Sequence, residues 1–591
     1  MIGYTTNSMK KLSVVIFLFL SVTCYSQTVR YVSKSGSNEF PYLTWETAGT
    51  SVKTVVDIAE SGDTLFIAPG EYIDTLDIYK DLTIIGSGME ETLIHSEYSR
   101  KVVINLHAKL NISNLSVACN EDFPYLSDSY AIFQQGAYDL NVKNCFFKVL
   151  SSGLKRRAGG RIKVEDSFFM ISSGNAIYFI DASPTKWDTV RGCVFYAEKF
   201  AGTSAVNLGV NNLLFEDNIT LKSIRYGIHG IGSDSVIIRN NILGGEVSGV
   251  NLIFNYDYAE ITNNIIHNGF SSNCTGIFIG NSPDLRVHNN VIYNFNESLE
   301  LRNEVSYDID YNCLFDIEDG ISDTVQMGEN NLYVNPMFNR MPTGDEAADE
   351  FDLRLQLYSP LIDSGHPEIK DKDNSRSDIG LYGGPYGMVY SYEDLPPEIP
   401  VELEHNEINS NLFTVEWKSN TESDLAGYKI YMGNNEGFVP SANTLLSAVD
   451  TNYYEHIGLI EENSYIKVSA YDEQGNESET GEVISIIVTG GVGGKVEKGY
   501  EYRLYQNYPN PFNPETKIRF SLKEESQVTI KIFDIRGELI KKEKEKLYPA
   551  GCHEIGLNLT EFASGIYIVT LQVEQNGKPL FVDSKKITLL K

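Results

Sequence analysis

One short pattern, repeated along the middle of the chain, constrains the fold more than any other feature. Each copy has alternating apolar residues, then a polar pair, then more apolar residues, and the gaps between copies are 22, 26, 25, 23, 23, 26 and 22 residues. This period is too short for a propeller blade and lacks a helical pattern, but it suits one coil of a parallel β-helix. The second residues of the polar pairs are Cys145, Ser167, Cys193, Asn218, Asn241, Asn264, Asn290 and Asn312.

The last five copies predict a buried asparagine ladder. Equivalent residues of successive coils stack along the axis of a β-helix, so these five side chains should form one line. Each amide can then donate a hydrogen bond to the carbonyl of the next coil, which satisfies polar groups that water cannot reach. Cys145 and Cys193 occupy the same coil position two coils apart, so we expect buried ladder members rather than a disulfide.

Charge and composition exclude several classes of protein. The chain has 591 residues, with 48 basic and 80 acidic side chains, and its net charge is −32. Nucleic-acid binding is not expected, because recognition of phosphates needs a positive surface. Seven cysteines are too few for a disulfide scaffold, and the many Tyr and Phe residues favour strands.

The first residues have the pattern of a secretory signal peptide. A basic start at 9–11 precedes an apolar run at 12–22, and small residues at 24 and 26 suit cleavage before Gln27. The apolar run is too short to span a bilayer, and no other segment is long enough. We therefore predict a signal peptide at 1–26 and a mature exported protein without a transmembrane segment.

The two ends of the repeat block resemble a known family. SVKTVVDIAESGDTLFIAPGEY (51–72) and LTIIGSG (82–88) are similar to the entry of right-handed parallel β-helix proteins of the pectin-lyase-like superfamily. In that family a helix, here 54–60, caps the first coil. NPMF, SPLIDSG and DIGLYGG resemble the family's closing segments. The resemblance covers about 28–390. It implies the fold, whereas activity varies from lyases, hydrolases and epimerases to non-catalytic adhesins.

Two smaller modules follow the predicted β-helix of 27–394. Residues 395–488 resemble a fibronectin type III domain: Trp417 lies in an early strand, and Leu459 precedes Tyr465 at the spacing of a tyrosine corner. A glycine-rich linker, 489–501, comes next. The expected role of the 395–488 module is that of a spacer, and a binding module is the alternative.

The last module, 502–591, closely resembles the C-terminal sorting domain of the type IX secretion system. Its hallmark is YPNPF at 508–512. The resemblance implies the type IX secretion machinery as a partner and a secreted or surface-attached protein. The predicted fold class is therefore all-β: a right-handed parallel β-helix of about 9–11 coils followed by two small β-sandwich domains.

A candidate site lies on the strands that begin at Tyr130, Gly153, Asn175 and their equivalents. Side chains alternate along a strand, so if Leu154 and its equivalents point inward, the following residues point outward. Polar and aromatic side chains on one stacked surface suit a sugar chain, although a solvated face of a structural solenoid is the plain alternative. The proposed substrate-binding residues are Tyr178, Asn207, Asn251, Phe278, Glu300 and Arg302.

Catalytic candidates are Lys155, Arg157 and His229. LKRRAGGRIK (154–163) carries five cations within an acidic chain and could hold an anionic ligand such as a uronate; Arg156 should point inward, and pairing with Glu165 and Asp166 is the alternative. The family resemblance implies that a lyase would use Lys or Arg as the base for the C5 proton, sometimes with calcium. His229 follows Arg225 and Tyr226, and this trio would also serve uronate elimination.

Other chemistries have little support in the sequence. No Asp pair suited to glycoside hydrolysis lies on these strands, and no nucleophile elbow, phosphate loop or zinc-ligand spacing is present. Asp371, Asp373 and Asp378 form an oxygen-rich loop that could hold calcium, with an acidic turn as the alternative. No cofactor is otherwise expected. Two functions remain: a protein that acts on or binds polysaccharide, with uronate lyase as one activity, or a non-catalytic surface adhesin.

Overall fold

The computed structural model describes most of the chain from residue 27 to residue 590. The predicted signal peptide (1–26), the linker (489–501), Leu459 and most of the YPNPF hallmark fall outside the described residues. The internal gaps are 97–101, 120–128, 150, 158, 173, 181–185, 198–203, 210–211, 222–223, 231, 246, 268–273, 303–306, 321–324, 342–351, 410–411, 458–463, 487–501, 506, 508–511, 543–544 and 576–577.

The chain divides into two compact units. One comprises residues up to 397 together with 421–425 and 472–476, and the other comprises 398–420, 426–471 and 477–591. Among the described residues, no helix has the length and apolar character needed to cross a membrane.

A short helix, Val52–Ile58, closes the start of the β-helix. It begins two residues earlier than predicted, because the Ser51 hydroxyl accepts a hydrogen bond from the Thr54 N–H and caps the helix. Val52, Val55 and Val56 are buried. The helix therefore covers the apolar end of the first coil, as the sequence predicts.

Each coil of the β-helix contributes strands to three faces, and all pairing between coils is parallel. Face one contains Val29–Val32, Thr64–Ile67, Leu82–Ile85, Ile162–Glu165, Trp187–Arg191, Asn212–Glu216, Ser233–Arg239, Leu285–His288 and Tyr307–Asp310. Face two contains Gly70–Ile73, Thr92–His95, Phe168–Ile171, Val194–Ala197, Ile219–Thr220, Ile242–Gly244, Ile265–His267 and Cys313–Gly320. Face three contains Leu76–Ile78, Val102–Leu106, Tyr130–Gln134, Ser152–Arg156, Asn175–Phe179, Ser204–Leu208, Tyr226–Gly230 and Thr275–Asn281. Strands that turn from one face to the next are Leu110–Ala118, Leu140–Val149, Ser248–Thr262 and Val291–Leu301.

The polar pairs form the corner between faces one and two. The first residue of the pair adopts a left-handed conformation, with φ of 52° at Asn240 and 54° at Asn263, which Asn tolerates better than most residues. The second residue points inward. At Asn264, Nδ2 donates to the Ile238 carbonyl of the preceding coil and to Oδ1 of Asn290 in the next.

The predicted asparagine ladder is confirmed, and it is longer than predicted. All five residues are buried, and each Oδ1 accepts the backbone N–H of the residue before it in the ladder. Asn331 extends the ladder past Asn312. At the other end, Cys145 and Cys193 are buried free thiols, as expected, and burial raises the pKa of each to about 12. The ladder thus satisfies polar groups inside every coil that it crosses.

Inside the coils, apolar side chains stack in columns. The rings of Phe147, Phe169, Phe195 and Phe215 follow one another with centroids 4.8, 5.1 and 6.0 Å apart. These stacked rings, together with the inward aliphatic columns, form one continuous core along the axis.

A closing segment, residues 332–392, packs against the last coils. It contains the antiparallel strands Phe338–Arg340 and Asp352–Leu355, and its Leu361 and Ile379 pack with Ile265 and Val291 on the outside of face two. The outward Asn263 donates to the carbonyls of residues 378 and 380, so the corner also anchors this segment. The segment therefore covers apolar surface that face two would otherwise expose.

The rest of the chain forms small antiparallel sheets. The first two sheets precede residue 487. The three-stranded sheet contains Glu404–Asn409, Leu412–Glu416 and Tyr453–Ile457, and the four-stranded sheet contains Leu425–Gly433, Leu445–Val449, Ser464–Asp472 and Ile484–Ile486. Two further sheets follow residue 501. The three-stranded sheet contains Arg503–Leu504, Glu515–Leu522 and Gly551–Asn558, and the five-stranded sheet contains Ser526–Asp534, Leu539–Lys542, Lys546–Tyr548, Gly565–Gln575 and Lys578–Leu589. With about nine turns of β-helix before them, these sheets confirm the predicted fold class.

Candidate functional site

The outward residues of face three form one column. The strand register pairs each candidate with the next in the following coil, and the inward residues beside them, such as Leu154 and Ile228, are fully buried. The structure therefore brings the predicted residues onto one surface, one coil apart. The column runs Lys155, Tyr178, Asn207, His229, Asn251, Phe278 and Glu300.

The basic cluster of the sequence is dispersed in the structure. Lys155 points outward, and its Nζ lies 2.5 Å from the Tyr130 hydroxyl and 4.2 Å from the centre of the Tyr130 ring. Arg157 is exposed beyond the end of the strand, and Lys163 pairs with Glu165 at 2.8 Å on face one. The five cations thus point in different directions and do not form one anion-binding patch.

Arg156 points into the core, as the alternation of the strand requires. Its Nη1 donates to both carboxylate oxygens of Asp188, at 2.8 and 2.9 Å, and its guanidinium lies over the Phe179 ring. Both members of this ion pair are buried. Asp188 also accepts the Ile162 N–H. Arg156 is therefore part of the interior structure, not of the candidate site.

His229 sits near the middle of the column. Its ring stacks on Tyr226 with centroids 4.9 Å apart, and Arg225 lies over the Tyr226 ring. Burial lowers the pKa of His229; the Asn251 side chain raises it and the charge of Arg225 lowers it further. The lowered pKa favours the neutral imidazole near pH 7. Lys155 lies three coils away, about 14 Å at sheet spacing.

A groove of about 300 Å³ opens on the same column, one to three coils beyond His229. Asn251, Phe278, Glu300 and Arg302 line it. The guanidinium of Arg302 lies 4.7 Å from the Phe278 ring centre, and Nε donates to Glu300 at 3.0 Å. The ring and the carboxylate hold this cation in one place, and its side chain remains 67% exposed.

This arrangement is suited to binding more than to catalysis. The groove combines an apolar ring, an amide, a carboxylate and a held guanidinium, which are the groups that contact sugar rings, hydroxyls and acidic substituents. Among the catalytic candidates, Lys155 and Arg157 share one coil, whereas His229 lies three coils away, so the three do not converge on one point. Their roles in catalysis stay predictions.

The predicted calcium ligands are occupied by the chain's own hydrogen-bond donors. Asp371 accepts from the N–H groups of Asp378 and Gly384, and burial raises its pKa to about 6. Asp378 accepts from the Asp363 N–H and the Tyr392 hydroxyl. Asp373 is exposed and accepts from Ser375. These contacts fix the closing segment, and calcium binding by the three carboxylates stays a hypothesis.

A different group of ligand-type side chains escaped the sequence analysis. His288 and Asp308 of face one meet His366 of the closing segment, with potential ligand atoms within 4.8 Å of one another. Their separations of 20 and 58 residues match no recognised metal-binding pattern. No sequence signal could have found the group, because it depends on where the closing segment packs.

Two family models match parts of the chain. Residues 506–581 match the secretion system C-terminal sorting domain, and residues 166–352 match the family described as periplasmic copper-binding protein (NosD). No curated protein matches the chain. The sorting domain and the NosD-like β-helix domain together indicate a secreted or cell-surface protein, and the former implies the secretion machinery as a partner.

Solved structures resemble parts of the chain at low identity. A pectin methylesterase mutant in complex with a hexasaccharide is 14% identical, with a TM-score of 0.30, over 37% of this chain and 80% of that one. Pectin methylesterase PemA from Erwinia chrysanthemi is 9% identical, with a TM-score of 0.23, over 52% and 94%. The FN1–FN3 domains of chicken CNTN1 are 12% identical, with a TM-score of 0.13, over 33% and 67%. These scores do not extend the likeness to a site or a substrate.

Proposed function

We propose that this exported protein binds a polysaccharide along face three, with the groove at Asn251, Phe278, Glu300 and Arg302 as the main contact. The observation that carries the proposal is the held guanidinium of Arg302 inside a groove on the predicted column. Successive coils are about 4.8 Å apart, so a sugar chain parallel to the axis meets a new side chain at each coil.

The groove favours an acidic polysaccharide. Nε of Arg302 donates a hydrogen bond to Glu300. Among the described residues, none pairs with the two terminal nitrogens of Arg302, so these can bind a carboxylate or sulfate. Glu300 can accept hydrogen bonds from hydroxyls and Asn251 can accept and donate them, whereas Phe278, which is 8% exposed, acts mainly by supporting Arg302. Lys155 would add a second, weaker anionic subsite farther along the column.

The binding test uses the purified secreted protein against pectate, alginate and glycosaminoglycans. Phe278→Ala removes the ring that supports Arg302 and should lower affinity about tenfold or more. Phe146→Ala is the matched control, because Phe146 is a half-buried outward ring on face two. Equal loss of affinity in both variants, or binding to none of these polysaccharides, would contradict the proposal.

Uronate lyase activity is the second candidate. It is favoured by the neutral imidazole of His229, which can take the C5 proton, with Arg225 and Tyr226 beside it. The assay is the ultraviolet absorbance of unsaturated uronides, with His229→Ala as the inactive variant. Binding without product, at any metal supplement, supports the non-catalytic surface adhesin instead.

The remaining parts are inferred to serve export and spacing. We take 1–26 as the signal peptide, 27–394 as the β-helix, 395–488 as a fibronectin type III-like spacer, 489–501 as the linker and 502–591 as the type IX sorting domain. Deletion of 502–591 should trap the protein in the periplasm, measured by fractionation and immunoblotting. Normal secretion of the truncated protein would contradict this role.

A further inference from the structure

We infer that His288, Asp308 and His366 form a binding site for one divalent transition-metal ion, which clasps the closing segment to the β-helix. Nε2 of His288 lies 3.1 Å from Oδ2 of Asp308. Two ligands on one tetrahedral zinc, with bonds of about 2.0–2.1 Å, lie ~3.4 Å apart, so this pair already has the separation that an ion requires. The His366 ring stacks on the His288 ring, with centroids 4.8 Å apart.

The environment of His288 points to a missing partner. The residue is 6% exposed, and its Nε2 is buried without a properly oriented hydrogen bond in the described part of the chain. The Asp308 carboxylate faces this nitrogen at 3.1 Å without the alignment of a hydrogen bond, and an ion held between the two atoms would satisfy both. The Asp308 side chain is 62% exposed, so the site has one open side through which an ion and its water can enter.

The backbone holds all three donors. His288 and Asp308 lie on adjacent paired strands, Leu285–His288 and Tyr307–Asp310. The corner residue Asn289 accepts the His366 N–H through Oδ1 at 2.7 Å, which fixes the loop that carries the third donor. Coordination through Nδ1 of His366 would displace the long hydrogen bond, 3.3 Å, that this atom accepts from the Glu368 N–H.

The donor set selects the class of ion. Two imidazoles and one carboxylate suit zinc, copper(II) and related ions, whereas calcium and magnesium prefer all-oxygen sites. Asp310 lies beside the site but is already occupied, because it accepts from the N–H groups of Tyr311 and Asn330. His366 lies outside the 166–352 stretch that matches the copper-binding family model, so the clasp depends on a residue beyond that match.

Binding is tested on the full secreted protein after dialysis against a chelator. Titration with zinc chloride or copper sulfate should show one equivalent bound, with a rise in Tm. Asp308→Asn and His366→Ala should each lower affinity at least tenfold. The matched controls are Asp284→Asn, an exposed carboxylate on face one, and His107→Ala, a histidine stacked on Tyr79.

A second measurement tests whether the ion holds the closing segment to the β-helix. Removal of the ion should speed proteolytic cleavage within the closing segment, and zinc should reverse this in the original protein but not in His366→Ala. No saturable binding of either metal, or equal binding by the site variants and their controls, would overturn the inference. Calcium that competes with zinc at equal concentration would also overturn it, because an oxygen-only ion would then be the ligand.

Discussion

The corner between faces one and two and the outward column of face three are both lines of equivalent residues, yet they differ in sequence. The corner repeats Asn over six successive ladder positions, from Asn218 to Asn331. The column changes from Lys to Tyr, Asn, His, Phe and Glu. The corner must satisfy backbone groups away from water in each coil, so one residue type recurs. Apart from the buried Phe278, the side chains of the column are partly exposed to solvent, so these positions are free to diverge and to serve binding.

The same contrast appears between two neighbours on one strand. Arg156 points inward, loses contact with water and is matched by Asp188, whereas Lys155 points outward and lies against Tyr130. Both are cations in a run that reads as one basic cluster. Their different surroundings show that burial, not residue type, decides which of them is structural.

The largest expected effect is the loss of the interior ion pair. Arg156→Met leaves the Asp188 carboxylate buried and unpaired, which should lower the free energy of unfolding by about 3–5 kcal/mol. Lys155→Met, on the same strand, should change it by less than about 0.5 kcal/mol. Denaturant unfolding of both variants measures the difference. Similar losses in the two variants would mean that burial does not distinguish these cations, and a partial rescue of Arg156→Met by Asp188→Leu would show that the unpaired carboxylate causes the loss.

Next in size is the ladder. Asn264→Leu removes the acceptor of the Asn241 N–H and the donor to the Ile238 carbonyl, and each unsatisfied group costs about 1–3 kcal/mol. Asn207→Leu is the control, because Asn207 is an outward Asn with one long hydrogen bond, 3.5 Å, to Asn175. Thermal unfolding should show a clear drop in Tm for the first variant only. A drop of equal size for the control would mean that the ladder has no special role.

A smaller effect is expected in the groove, and on binding instead of stability. Arg302→Gln should weaken binding of the acidic polysaccharide about tenfold while leaving the unfolding free energy within about 0.5 kcal/mol. Arg286→Gln is a close control: this arginine also lies over a ring, Tyr258, and pairs with Asp284, but on face one. Isothermal titration compares them. If Arg286→Gln weakens binding as much, the ligand does not select face three.

The smallest effect concerns Lys155. Lys155→Ala should weaken binding of an anionic polysaccharide about two- to fivefold and of a neutral one not at all, because the charge of the half-buried Lys155 contributes about 0.2–1 kcal/mol, as surface charges do. Higher salt should reduce the difference, since ions screen exposed charges. Affinities at low and high salt measure it. Unchanged affinity for pectate or alginate at low salt would remove Lys155 from the site.

Local patterns made most of the fold predictable. The coil period and the polar pairs predicted the β-helix and its ladder, because both follow from residues that repeat at short spacing. Strand alternation likewise predicted which side of face three Lys155 and His229 occupy. It could not predict that the groove forms at Phe278 and Arg302, because the groove depends on how side chains of adjacent coils pack.

The amino-acid sequence on its own was enough for the architecture, the C-terminal sorting domain and the residue types available on face three, since these depend on periodicity and motifs. Long-range packing decided the contacts between residues that are far apart in the sequence. It buried Arg156 against Asp188, which is 32 residues away, and it used Asp371 and Asp378 to hold backbone N–H groups. It also brought His366 beside His288, 78 residues earlier, because the closing segment folds back over the coils to cover their exposed apolar face.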